Sequence, residues 1–140
     1  MTSNEKLNIS SLQDAINSMK NAIRVYESLK DMGEDERVVL RAGVIQNFEF
    51  TYELGWKFMK RWIEMNISPI AVDGVTRREL FRQAAENKLI VDVDKWMDFH
   101  KDRNRTSHIY DEEVAEEVLA TSFEALPYFQ DLLNSLGARL

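Results

Sequence analysis

Lys101, Arg103, Arg105 and His108 place three fixed positive charges and an imidazole within eight residues of an acidic chain. A guanidinium matches phosphate oxygens with two parallel hydrogen bonds and stays charged at any relevant pH. A histidine titrates near neutrality and can take or give a proton. Without a metal, Arg103 and His108 suffice for attack of a ribose 2′-hydroxyl on the adjacent phosphate. The imidazole would act as general base or acid, and the guanidinium would hold the charge building on the phosphorus oxygens. The same residues admit a plainer reading. Basic groups are favoured at a helix C-terminus, and Arg103 or Arg105 could simply cap that end or pair with Asp102 and Asp111.

Other chemistries find little support. His100 and His108 lack the i, i+4 spacing of a helical metal pair. His100 follows Trp96 by one turn on a core-facing stripe and reads as a packed or partly exposed histidine. The carboxylates form no cluster of zinc or magnesium ligands. Glu112–Glu113 and Glu116–Glu117 read as a solvated face of the last helix. No glycine-rich loop is present to cradle a nucleotide. No cofactor is therefore expected. The absence of cysteine removes thiol nucleophiles and disulfides, and fits a reducing compartment. The first ten residues lack the basic start and apolar run of a leader, and no stretch approaches the roughly 20 apolar residues that span a bilayer. A cytoplasmic protein with no membrane contact is expected. A net charge of −6 means that any nucleic acid must be met at a local basic site, one that two chains could assemble.

As for the elements that must hold these residues, 140 residues suit a single domain spanning 1–140 with one core. Leu12, Ile16, Met19, Ile23 and Tyr26 recur at three- and four-residue steps and predict a first helix. Ser11 and Asp14 have the spacing that opens a helix, and Gly33 would end it. A second helix, roughly 35–65, carries Val38, Ala42, Ile45, Phe48, Tyr52, Trp56, Met59 and Ile63 on one face. Val44, Phe50, Leu54, Phe58 and Trp62 are spread over others. A helix so widely apolar calls for cover on more than one side, which a second copy of the chain would supply. Pro69 breaks the pattern, residues 70–75 read as loop, and Thr76 with Glu79 opens a short helix closed by Asn87. Asp92 suits the cap of a helix reaching the arginines, and Asp111 that of the last helix, which Pro127 should bend. The fold class is all-α: an antiparallel up-and-down four-helix bundle with a short extra helix.

The run Arg103-Asn104-Arg105-Thr106-Ser107-His108-Ile109-Tyr110 resembles the R-x-x-x-x-H-x-Y signature of HEPN-domain proteins of the HepT type. Further matches lie in Phe48-Glu49-Phe50-Thr51-Tyr52-Glu53-Leu54-Gly55-Trp56-Lys57, Ser68-Pro69, Arg78-Glu79-Leu80-Phe81-Arg82-Gln83-Ala84, Leu89-Ile90, Trp96 and Thr106-Ser107-His108-x-Tyr110-Asp111-Glu112. The resemblance covers nearly the whole chain. Arg105 departs from it, standing where the family often has an apolar residue.

The resemblance implies a HEPN-like bundle that forms a homodimer and brings two motifs together across a two-fold axis. It implies a metal-independent ribonuclease toxin of a two-component toxin–antitoxin system. Its antitoxin partner would be a minimal nucleotidyltransferase that transfers AMP to Tyr110. Arg103 would then bind the phosphate, His108 handle the proton, and Asn104 orient one of them. A different reading of the same residues is a non-catalytic subunit that binds a nucleotide or other substrate for that nucleotidyltransferase. A third is a helical interaction module with a structural motif.

Overall fold

One helix, α2 (Glu34–Asn66), runs through the middle of the molecule, and the other four pack around it: α1 (Ser10–Ser28), α3 (Arg77–Glu86), α4 (Val93–Asn104) and α5 (Glu112–Gly137). Two short 3-10 turns, Pro69–Val72 and Thr106–His108, complete the chain. The computed structural model describes residues 7–140. Among these there is no strand, and no helix is long and apolar enough to cross a membrane. The expectation that the N-terminus carries no leader falls largely on residues 1–6, outside the described residues.

The apolar stripes meet in one core. Leu12, Ile16, Met19 and Ile23 of α1 are buried against Val44, Ile45, Phe48, Tyr52, Met59 and Ile63 of α2. Beneath them an aromatic cluster joins three helices: ring centroids lie 6.1 Å apart for Phe48–Phe129, 6.3 Å for Tyr52–Trp96 and 5.5 Å for Trp96–Phe129. Each such pair adds about 0.5–1.5 kcal/mol beyond area burial. Gly55 gives the cluster room, since a Cβ there would stand 3.4 Å from both Leu132 Cδ2 and Trp96 Cη2.

Three helix starts follow the local sequence. The side chains of Thr76, Asp92 and Asp111 accept from the backbone N–H of Glu79, Lys95 and Val114 at 3.1, 3.0 and 3.1 Å. Other boundaries differ from expectation. Helix α1 starts at Ser10 with no side-chain cap from Ser11; Asn8 Oδ1 instead takes the Ser10 N–H at 2.9 Å. It ends at Ser28, five residues before Gly33, which serves as the N-cap of α2. Leu29 has already turned to extended backbone, so the chain leaves the helix before any glycine is needed. Of residues 70–75, expected as loop, 70–72 join Pro69 in a 3-10 turn on the Ser68 side chain. Pro127 lies inside α5, as expected, and does not divide it.

The broad apolar surface of α2 has an intramolecular explanation. Val44 and Trp62 are buried, Leu54 and Phe58 half-buried, and of that set only Phe50 is exposed. A central helix meets neighbours on most sides, so the wide hydrophobic pattern does not by itself call for a second chain. The apolar residues of α2 that stay exposed are few: Val38, Val39 and Phe50, with Val39 69% and Phe50 54% exposed.

Candidate functional site

The motif straddles the end of α4, and each helical turn there is fixed by specific partners. Asp102 is buried, with its carboxylate accepting from Arg105 Nη1 at 3.0 Å and from the Thr121 hydroxyl of α5. Arg105 also pairs with Glu117 of α5. The Thr106 hydroxyl donates to the Arg103 carbonyl at 2.8 Å, one of the carbonyls that the helix end leaves free. Backbone bonds from His108 N to Arg105 O and from Asp111 N to His108 O, 3.0 and 3.1 Å, carry the chain through the 3-10 turn to the cap of α5.

Within this frame Arg103 turns toward α2. Its Nε donates to Glu53 Oε1 at 2.8 Å, and its Nη1 lies 3.2 Å from Glu49 Oε2. The other Glu53 oxygen accepts from Trp56 Nε1 at 3.1 Å. The Arg77 guanidinium covers the Trp56 ring, its carbon 3.5 Å from the centroid. His108 and Tyr110 are exposed, and their rings meet edge to face with centroids 6.0 Å apart. Tyr110 is 84% exposed, so its side chain faces solvent. Asn104 is exposed and makes no side-chain hydrogen bond among the described residues. Of the four residues singled out in the sequence, the protomer joins His108 to Tyr110 and ties Arg103 to α2. No hydrogen bond or ring contact links Arg103 to His108 within one chain.

A groove of about 410 Å³ runs beside the motif, lined by Val39, Ala42, Gly43, Gln46 and Glu49 of α2 and by Thr106 and Ile109. Glu49 thus faces both the groove and the Arg103 guanidinium.

Two features went unread in the sequence. Glu49 and Glu53 stand one turn apart amid aromatic residues; that polar i, i+4 pair was the available signal. The second is an ion-pair cluster at the start of α5. Arg41, 4% exposed, donates to Glu112 at 2.8 Å and Glu116 at 3.0 Å, while Arg37 reaches the same two carboxylates at 2.9 and 3.2 Å. These glutamates are exposed, as expected, and three of them also make ion pairs: α2 binds Glu112 and Glu116, and Arg105 binds Glu117. Hydrogen bonds from Arg41, then Arg37, lower the Glu112 carboxyl to about 2. His100 is partly exposed and accepts from or donates to the Tyr52 hydroxyl through Nδ1 at 2.8 Å. Burial, reinforced by the nearby Arg77 charge, holds its pKa below the ordinary imidazole value.

Comparison with known proteins places this architecture. Residues 7–138 match the family described as nucleotidyltransferase substrate binding protein like. The chain is also 34% identical to the probable ribonuclease HepT of Haemophilus influenzae, covering 96% of this chain and 95% of that protein. The chain belongs to this HepT-type HEPN family. Among solved structures, the HepT-type fold recurs in HI0074 of Haemophilus influenzae, described as the substrate binding domain of a nucleotidyltransferase. The TM-score is 0.84 at 31% identity, over 92% of this chain and 98% of that one. A protein of Thermus thermophilus, 23% identical with a TM-score of 0.71, shares the fold over 89% of this chain and 98% of its own.

Proposed function

We propose that this HepT-type chain is a metal-independent endoribonuclease toxin whose partner, a minimal nucleotidyltransferase, silences it by transferring AMP to Tyr110. The observation that carries the reading is the exposed pair His108–Tyr110, with the two rings in contact. It puts a proton-transfer group and a modifiable hydroxyl side by side, next to a helix end that bears Arg103. In cleavage, His108 takes the proton of a ribose 2′-hydroxyl as the O2′–phosphorus bond forms. The phosphorus–O5′ bond breaks, a proton is delivered to O5′, and a cyclic phosphate remains. Arg103 holds the phosphoryl oxygens, and Asn104 orients the phosphate or the imidazole. In silencing, the Tyr110 oxygen displaces pyrophosphate from ATP. The resulting phosphodiester sets a negative charge and a nucleoside beside His108, where RNA would otherwise bind.

The active unit we propose is a homodimer in the cytoplasm. Exposed Val39 lines the groove with Ala42, Gly43 and the motif's own Thr106 and Ile109, and exposed Phe50 follows one turn after Gln46 on the same helix. A second copy seated there would bury the apolar face, bring two motifs together and concentrate positive charge that one acidic protomer lacks.

The test is growth after induction of wild type and His108→Ala, with and without a co-expressed minimal nucleotidyltransferase. Wild type alone should arrest growth. The variant should not, and the partner should relieve the arrest while adding an adenylate to Tyr110, detected by mass spectrometry and absent from Tyr110→Phe. Equal toxicity of wild type and His108→Ala removes the nuclease reading. One observation favours the non-catalytic subunit as a second reading: in the protomer Arg103 and His108 are not in contact. On that reading purified chain binds nucleotide or RNA and leaves RNA intact.

A further inference from the structure

We propose that Glu53 is a positioning residue for Arg103, a role that rests on the ribonuclease reading above. An arginine side chain has five N–H groups on a flexible stem, so an isolated one can meet a phosphate in many orientations. Here its single Nε–H is committed to Glu53 Oε1 at 2.8 Å, which fixes the plane of the guanidinium; with Nη1 beside Glu49, Nη2 is the nitrogen left without an ion-pair partner among the described residues. Glu53 is itself anchored. Its second oxygen accepts from Trp56 Nε1 at 3.1 Å, and the Trp56 ring is pinned beneath Arg77 at 3.5 Å. Glu53 and Trp56 sit on the central helix, whose next turn buries Met59, and Arg77 comes from the start of α3, so the carboxylate has a rigid base. Glu49 at 3.2 Å from Nη1 leans on the same guanidinium from one turn earlier, with the weaker geometry of an ion pair.

A carboxylate against the guanidinium lowers the positive potential that a phosphate would feel. Glu53 therefore cannot raise affinity for RNA by charge; what it supplies is geometry. That distinction sets the kinetic signature. Loss of positioning lowers kcat, while loss of the negative charge leaves KM unchanged or lower. Misplacement of a reacting group by about 1 Å can cost about 10²-fold in rate.

The experiment compares RNA cleavage by wild type, Glu53→Gln, Glu53→Asp and His108→Ala, together with the Arg103 Nε–H resonance in a ¹⁵N–¹H spectrum, assigned through Arg103→Lys. Glu53→Gln should lose about 10- to 100-fold in kcat with KM no higher. Its Arg103 Nε–H signal should shift and exchange faster with water. Glu53→Asp keeps the charge but withdraws it by one methylene, so it should stay below one-third of wild-type kcat. Thermal melting of each variant confirms that it is folded; both substitutions fall at a side chain about one-third exposed. The role is overturned if Glu53→Gln cleaves as fast as wild type or faster, if its defect lies wholly in KM, or if Glu53→Asp is fully active. If wild type and His108→Ala cleave alike, the ribonuclease reading falls and takes this role with it. If only His108→Ala is inactive while Glu53→Gln is unimpaired, that reading stands and this role alone falls.

Discussion

Replacing Tyr52 by phenylalanine removes one oxygen atom from the seam between α2 and α4, and its cost can be worked from the contacts. The ring is fully buried and lies 6.4 Å from Phe81, 6.3 Å from Trp96 and 5.9 Å from His100 between centroids; phenylalanine keeps these contacts. What goes is the 2.8 Å hydrogen bond to His100 Nδ1. A neutral hydrogen bond contributes about 0.5–1.5 kcal/mol net, and stranding a buried partner raises the cost to about 1–3 kcal/mol. His100 is only partly buried, so water can reach it. The loss should therefore be about 1–1.5 kcal/mol, a fall in Tm of about 3–5 °C for a chain of this size. Tyr52→Ala also empties the ring's volume among Phe48, Phe81 and Trp96, and should cost about 3–5 kcal/mol. Urea unfolding followed by tryptophan fluorescence, at fixed protein concentration, measures both, and the slope with denaturant should not change in Tyr52→Phe. A Tyr52→Phe protein as stable as wild type would show that the hydroxyl contributes nothing. One as unstable as Tyr52→Ala would show that the packing argument is wrong.

Two further outcomes follow from the ion pairs and the partly buried imidazole. Arg105→Ala leaves Asp102 with the Thr121 hydroxyl alone and frees Glu117, so it should lower stability by about 1 kcal/mol without changing RNA cleavage per folded molecule. Equal Tm with lost cleavage would reassign Arg105 to the site. Stability should also fall with pH in two stages. His100 is held below its ordinary value in the fold, so the unfolded chain takes the proton first, and stability declines as pH drops below about 6.5. His100→Gln should flatten that slope. The Glu112 carboxyl, lowered to about 2, contributes in full above the usual value of 4.5 and loses its contribution as pH falls toward 2. Denaturation profiles from pH 8 to 2 should show both stages, and Arg41→Met should weaken the lower one.

The parts of the fold that were legible in the sequence are those decided within a few residues. Thr76, Asp92 and Asp111 cap their helices because a side-chain oxygen three positions before a free N–H needs no distant partner. The apolar stripe of α1 was equally plain, since Leu12, Ile16, Met19 and Ile23 all face one way. Gly33 misled because glycine serves at either end of a helix, and only the extended backbone at Leu29 shows which end it serves here. Glu112 and Glu116 are exposed as their pattern suggests, but their ion pairs were not legible because the partners, Arg37 and Arg41, are more than seventy residues earlier in the chain. The R-x-x-x-x-H-x-Y run pointed to the candidate residues, yet not to the Glu53 carboxylate that Arg103 meets. That pairing depends on the azimuth at which α4 lies on α2, which packing sets and local spacing does not.

The bridge between α4 and α5 has a mechanical consequence. Arg105 is bolted to both helices, Thr106 is stitched to the carbonyl of Arg103, and Asp111 is committed to the first turn of α5. Tyr110 therefore stands on a short, braced strut and not on a swinging loop. Any group attached to its oxygen would turn only about the side chain's own bonds, sweeping a small volume around an anchored Cα and never travelling with a moving segment.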